Sequence, residues 1–393
     1  MRMACVVAAV LVAACGPLTP GQKDAGTGGG GGGATGGGSA TGGGTATGGG
    51  SATGGGGSAT GGGSATGGGG ATGGGGATGG GGGATGGGGT SGIWDFATIG
   101  MVPTPSQSSP VIGFAETDAG VYALTGSGVL YRSTGGAFSQ LFRLPAGYAV
   151  DFEGAPTGEL FAISTVYFYG CKSGCDDAGS WQETRILSAS EVLTSLCVAS
   201  GNNVIAIGEQ GSFNDGVYHS YDGTTFTGAS TALGYTGPRS CWRGANGNFY
   251  FPVEDNVVTW DPLNLGFSAE STGTFGAWHG GGSSPGHEWL GGNGPVIAER
   301  DGGVWPQVMA RSGEGNINVF IGVSATQAFG FGGGFSSSGQ AGWIFNGTSW
   351  GAMTPDLPAI NHAMAALKTR NGLIYVGGDD QNLGPIILRG TQR

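Results

Sequence analysis

The chain has 393 residues, of which 94 are glycine, and its 25 acidic and 14 basic side chains leave a formal net charge of −11. Nearly all of positions 26 to 92 is Gly, Ala, Thr and Ser, so about 300 residues remain to fold, enough for one large core rather than the several domains that length alone suggests. Lys and Arg are scattered singly with no basic stripe, which excludes nucleic acid as an expected partner.

The first segment, MRMACVVAAVLVAA, is one positive charge followed by an apolar run too short to span a bilayer, and Cys15 and Gly16 come next. Val12, Ala13, Ala14 and Cys15 resemble the lipobox of bacterial lipoproteins. That resemblance implies a signal peptide over 1–14, a lipidated Cys15 as the mature N-terminus, and an anchor in the cell envelope. Two or more acyl chains hold a protein on a membrane stably where one would not. Gly16 in place of Asp points, by analogy with enteric bacteria, to the outer membrane, with the periplasmic side and the cell surface both open. Residues 15–91 then form a linker. Between Asp24 and Asp95 it has no charge, and repeats such as SATGGGG offer nothing to bury, so a flexible coil is expected, with a root-mean-square span of roughly 45 Å. Matches to glycine-rich phosphate loops within it are trivial, because no strand precedes them and no helix follows.

From residue 92 to 393 an aromatic residue recurs at intervals of roughly 38 to 45 residues: Trp94, Phe138, Trp181, Phe226, Phe267, Trp305 and Trp350. Between markers the same three apolar runs repeat, for example PVIGFAE, VYALTG and VLYRSTG, each bounded by Gly, Asn, Asp or Ser. Short β-branched and aromatic runs at this period predict an all-β, seven-bladed β-propeller of four-stranded blades. The last blade, from Asn361 to Gly390, lacks an outer strand, and strand 93–99 has that pattern with no inner strands before it. Pairing the two closes the ring and removes an open edge.

Four cysteines remain once Cys5 and Cys15 are set aside. Cys171 and Cys175 bracket a short turn, and Cys197 and Cys241 occupy matching places on adjacent blades, so those two disulfides are favoured in an oxidising compartment. A metal site at Cys171, Cys175, Asp176 and Asp177 lacks the further Cys or His that zinc takes, and no metal is expected there. His219, His279, His287 and His362 are the only histidines. His279 and His362 fall on first strands and can line the channel, although a lone strand histidine is more often a hydrogen-bonded structural residue than a base. Sialidase and galactose-oxidase patterns are absent: Arg243, Arg300 and Arg311 have no matching context, and the cysteines serve as disulfides. No catalytic residue is assigned.

Gly291-Gly292, Gly332-Gly333 and Gly377-Gly378 resemble the glycine pairs of kelch blades, and YDGTTF and FNGTSW resemble degenerate Asp-box (BNR) turns. This resemblance implies a propeller and no particular activity, since such scaffolds host many functions. Loops between second and third strands and between outer and next first strands share one face. That face collects Glu209, Asn214, Asp215, Glu254 and Asp255, then Asp379, Asp380 and Gln381, with Tyr148, Tyr235 and Arg239; His279 and His362 join them at the channel. Acidic loops with aromatics suit a basic protein partner or a glycan, with calcium as the one cofactor they could use, although no loop repeats a full calcium-ligand pattern. The expected function is therefore a lipid-anchored binding module for a glycan or protein. The alternative is an envelope glycan hydrolase or lyase on the same scaffold.

Overall fold

The computed structural model describes residues 93–393 apart from 103–108, 187–189, 212–214, 228–230, 237, 239, 254, 273–277, 294–295, 311–315, 334–341, 354–356, 358–359 and 381–383. The apolar N-terminal run, Cys15 and the glycine-rich tract lie outside the described residues. Seven antiparallel sheets follow one another in chain order as the blades of a propeller. Their inner strands are Val111–Thr117, Asp151–Gly154, Glu191–Ser200, Trp242–Arg243, Trp278–Ser284, Asn316–Ser324 and His362–Lys368, numbered here as blades 1 to 7.

Burial explains the sequence texture of the strands. Second strands are covered on both faces and read as continuous apolar runs: Leu160–Ile163, Phe249–Val253 and Ile374–Asp379 are buried at every position. Outer strands meet water on one side, and Phe138–Arg143 buries its first residue and exposes the next two. The apolar interior is divided into seven clusters, one in each seam between neighbouring blades, rather than the single core that chain length suggested. The cause is geometric: a blade has two faces, and each can be buried only against the next blade.

The periodic aromatics are the clasps of those seams, and each packs onto the blade before its own. Phe226 stacks on Phe168 with ring centroids 4.3 Å apart, Phe267 tilts against Tyr218 at 4.8 Å, and Trp350 meets Trp289 edge-on at 5.2 Å. Trp94 meets Phe329 at 5.7 Å, Phe138 meets Tyr375 at 5.8 Å, and Trp181 meets Phe142 at 6.1 Å. Trp305 meets Tyr250 edge-on at 6.1 Å. Burying a side chain of this size contributes about 1.5–3 kcal/mol, and ring pairs add about 0.5–1.5 kcal/mol. One marker departs from the expected strand pattern. Phe226 forms only an isolated bridge with Tyr221, and the outer strand of blade 3 begins later, at Thr231–Thr236.

Ring closure follows the expected pairing. Trp94–Ile99 runs antiparallel to Pro385–Gln392, with Trp94 opposite Gln392 and Ile99 opposite Ile387. The chain then takes one further step that the sequence did not suggest: Met101–Val102 pairs in parallel with Phe138–Arg143 and gives blade 1 a fifth strand. Nine residues thus hold the last blade and the first.

Both disulfides have the favoured partners. Cys171–Cys175 spans 5.8 Å between Cα atoms, and Cys197–Cys241 spans 5.6 Å and ties blade 3 to the residue preceding the inner strand of blade 4. The small loop held by the first is pinned across the seam to blade 1, because Asp176 accepts from Tyr122 Oη at 2.8 Å and pairs with Arg132. Asp177 caps the short 3₁₀ turn Ala178–Ser180. The cysteine-flanked acids therefore serve the fold.

Candidate functional site

All seven inner strands border a central channel of about 1110 Å³. Five of those strands are irregular at the same level. Their ladders to the second strand skip Ile112, Thr194, His279, Asn318 and Met364 in blades 1, 3, 5, 6 and 7. Each skipped residue lines the channel. A β-bulge doubles one strand against its partner and re-aims a side chain, and here it gives the channel five unlike groups at equivalent positions.

The bulges also account for glycine in the facing strands. A Cβ added to Gly208, Gly332 or Gly378 would stand 2.3, 1.8 or 1.7 Å from the carbonyl oxygen of Val192, Asn316 or His362, in each case two residues before the bulge. No side chain fits there. Gly291 and Gly333 serve the neighbouring approach, facing the Ile317 and Asn361 oxygens of the next blade at 2.5 and 1.9 Å. Five of the six doubled glycines singled out in the sequence, Gly291, Gly332, Gly333, Gly377 and Gly378, are thus close-approach positions around the bulged ring.

One arc of the wall is acidic. Asp151 and Glu153 alternate on the inner strand of blade 2 and share its channel side. Asp151 Oδ2 accepts from Ser195 Oγ at 2.7 Å and from Leu196 N at 2.8 Å, and Glu153 Oε2 accepts from Val198 N at 3.2 Å, so the two carboxylates stitch blade 2 to blade 3. Each keeps an edge on the channel while protein surrounds the rest. Burial raises the Asp151 carboxyl against the pull of those hydrogen bonds; burial followed by the nearby Asp151 charge raises Glu153 well above the usual range.

Blades 6, 7 and 1 mix apolar and polar groups on the wall, where Met364 and Ile112 stand beside Asn318, His362 and Asp379. Met364 is 47% exposed. The two basic residues of the wall, Arg243 and Lys368, lie at the far ends of their strands. Arg243 sits 5.8 Å over the Phe249 ring, and Lys368 Nζ donates to Val323 O at 2.8 Å.

Of the residues expected at the acidic face, His279, His362 and Asp379 line the channel. His362 Nδ1 lies 2.9 Å from Asp379 Oδ1, and His279 Nε2 lies 2.6 Å from Asn293 Oδ1. The others are spread around the rim. Tyr148 is exposed with its hydroxyl 2.6 Å from Thr165 Oγ1. Glu209 is the penultimate residue of a second strand and Asp215 begins a third. Asp255 holds Asn256 Nδ2 at 2.9 Å, and Asp380 accepts from Gly384 N at 2.8 Å. Tyr235 lies on the outer strand Thr231–Thr236. Asn214, Arg239, Glu254 and Gln381 lie outside the described residues. Among the described residues no three His, Cys, Asp or Glu side chains converge as metal ligands.

The two remaining histidines are built into the fold. His219 is fully buried, bridging Thr227 O at 2.7 Å and Glu191 Oε2 at 3.0 Å, and His287 stacks on Trp289 and meets Glu299 at 2.5 Å. Behind the channel wall, the seam between blades 4 and 5 buries a further acid, Glu288, whose Oε1 accepts from Ala245 N at 2.9 Å. Burial pushes its carboxyl up to about 7. Beside it Glu270 is held low by Arg300, whose Nε and Nη2 donate to it at 2.8 and 2.5 Å.

Sequence reasoning passed over Asp151, Glu153, Arg243 and Met364 as channel residues. For the two acids a signal was present, since their spacing of two within the first run AVDFEGA places them on one face of a strand. For Met364 there was none, because a bulge depends on pairing.

No protein-family model matches the chain, and no curated protein matches its sequence. Solved structures share its shape. A catalytically inactive variant of virginiamycin B lyase from Staphylococcus aureus, solved with quinupristin, superposes with a TM-score of 0.61 over 77% of this chain and 100% of that one, at 9% identity. YCF48 bound to D1 peptide gives 0.55 over 76% and 95%, at 16% identity. The WD40 β-propeller domain of Doa1 gives 0.55 over 77% and 98%, at 12% identity. Likeness at these identities carries the fold alone.

Proposed function

We propose that this chain is a lipid-anchored protein of the cell envelope whose kelch-like and Asp-box-like propeller binds a glycan or protein partner at its acidic face and channel mouth. The observation that carries the reading is the ring of bulged inner strands, which aims chemically different side chains into one open channel that the fold itself does not need. Supporting it, a propeller of similar shape is known bound to a peptide. The lipobox-like run ending at Cys15 supports the anchor, and the outer membrane, on its periplasmic or outer side, is the location that Gly16 favours. Two disulfides suit an oxidising compartment, and no described helix is long and apolar enough to cross a membrane.

The test is a binding screen of the domain from residue 92 onward against envelope polysaccharides and basic proteins, with and without calcium, together with Cys15→Ser in cells. Saturable binding and release of the variant from membranes are the expected results. A domain that binds nothing in the screen sinks the binding reading, and a variant that still sediments with membranes in high salt sinks the anchor. Hydrolase or lyase activity remains the second reading because Asp151 and Glu153 place two raised carboxyls in the channel, where one can hold a proton for general acid chemistry. Turnover of a polysaccharide by wild type and its loss in Glu153→Gln would favour that reading.

A further inference from the structure

The turns that join third to outer strands lie on the face opposite the acidic loops, and five of them follow one local rule. Gly135, Gly174, Gly223, Gly302 with Gly303, and Gly347 supply a positive φ where the chain reverses in blades 1, 2, 3, 5 and 6. Blade 4 breaks it. Between Asn256–Asp261 and Gly266–Ser271 the left-handed position is taken by Leu265, at φ 55°, the one non-glycine residue with positive φ among the described residues. A leucine is strained there, and glycine holds such a turn at less cost. Packing does not compensate, because Leu265 is 67% exposed and Leu263 91%.

The turn that carries the two leucines is firmly braced. Asp261 Oδ1 accepts from the Leu263 and Asn264 amides at 2.8 and 3.3 Å, Asp261 Oδ2 accepts from Asn264 Nδ2 at 2.6 Å, and Pro262 O accepts from Asn203 Nδ2 of blade 3 at 2.9 Å. Strain kept without a folding gain is a mark of function. The same face carries two further exposed apolar side chains, Val304 on the corresponding turn of blade 5 and Ile93. Ile93 is the first described residue of the propeller and lies at the end of the last third strand, where Arg393 N donates to its carbonyl at 2.9 Å.

We propose that this face is a membrane-contacting surface, with Leu263 and Leu265 entering the interfacial layer of a lipid bilayer. A bilayer is the occupant that the chain itself brings near, because the tract from Cys15, with a span of roughly 45 Å, joins the propeller on this face at Ile93. Contact here turns the acidic loops of the other face away from the membrane and toward their partner. Asp261 and Asp301 stand beside the apolar residues and the chain carries a net charge of −11, which favours a zwitterionic over an anionic lipid surface. Two leucines are far short of an anchor; they orient a domain that acyl chains retain. The contact rests on the envelope reading only for the presence of a bilayer.

Co-sedimentation with phosphatidylcholine and phosphatidylglycerol vesicles tests the surface, using the chain from Gly16 onward. That protein lacks the apolar run and Cys15, so the contact and the lipid anchor fail separately. Wild type should partition onto phosphatidylcholine and more weakly onto phosphatidylglycerol at low salt. Leu263→Gln and Leu265→Gly should each weaken partition about tenfold, the scale of one leucine returned to water. Leu263→Gln should leave the urea midpoint unchanged and Leu265→Gly should raise it, because glycine relieves the left-handed position. Val308→Gln, an exposed site on the outer strand of blade 5, should partition as wild type does. Wild type that stays in the supernatant with both vesicles, leucine variants that partition as wild type does, or midpoints lowered in both leucine variants overturn the proposal. A wild-type dimer in sedimentation velocity that both leucine variants abolish, with no vesicle binding, assigns the leucines to a second copy of the chain and overturns it as well.

Discussion

Glu288 illustrates how one buried atom can set the response of the whole fold to pH. Its Oε1 takes the Ala245 amide across the seam between blades 4 and 5, while burial keeps the carboxyl protonated up to about pH 7. The unfolded chain releases that proton near 4.5, so the native state holds the extra proton between those values. Stability from this group is complete below about 4.5 and is lost as pH rises toward 7, with a slope of up to ~1.4 kcal/mol per pH unit. Asp151 and Glu153 shift the same way, whereas Glu270, held low by Arg300, loses its contribution only as the solution becomes acidic. Urea midpoints measured from pH 4 to 8 should therefore fall toward neutrality in the wild type and fall less in Glu288→Gln. Parallel curves for the two proteins would remove Glu288 as the titrating group. None of this was readable in HEWLGGN, where Glu288 looks like an ordinary strand acid; its burial comes from the Trp242 and Trp305 packing of a seam assembled from two blades.

At the level of strands, legibility follows the range of the interaction. The seven aromatic markers were visible because one residue per blade must fill each seam, and that demand repeats along the chain at the blade period. The Cys197–Cys241 pair was visible for the same reason, as equivalent positions one blade apart. The bulges were not, because a skipped residue exists only relative to the strand it pairs with, and the doubled glycines were their sole trace. That link can be measured. Gly378→Ala sets a Cβ 1.7 Å from the His362 oxygen, whereas Gly351, on an outer strand, has nothing within 4 Å of its own added Cβ. Gly378→Ala should cost about 3 kcal/mol or more in equilibrium unfolding, and Gly351→Ala should change stability by less than about 0.5 kcal/mol. Equal effects would mean that the close approach at the bulge is not what requires glycine.

For the whole ring, closure rests on residues 93–102, which pair with the last blade through Trp94–Ile99 and with the first through Met101–Val102. Arg393 strengthens the junction, donating its backbone amide to Ile93 O at 2.9 Å and pairing with Asp95. Removing residues 93–102 should cost several kcal/mol, a large part of the roughly 5–15 kcal/mol that keeps a domain folded, because a buried seam and eight register pairs are lost together. An unchanged unfolding midpoint would show that six blades and three strands suffice. The expected four-stranded blades and the clasp were legible from the unmatched outer-strand pattern at 93–99, while the parallel step at Met101 was hidden in two residues too short to carry a period. The clasp also imposes an order in time. Strands within a blade meet their partners a few residues away, but Trp94 must wait for Gln392 at the other end of the described chain. Loop-closure entropy grows slowly with length, about 0.6 kcal/mol per doubling, so this delay leaves the equilibrium little affected and falls on the rate. During synthesis Pro385–Gln392 emerges after every other described strand, and until it does Trp94–Ile99 holds Trp94 and Phe96 on an unpaired edge, open to pairing with a neighbouring copy of the chain.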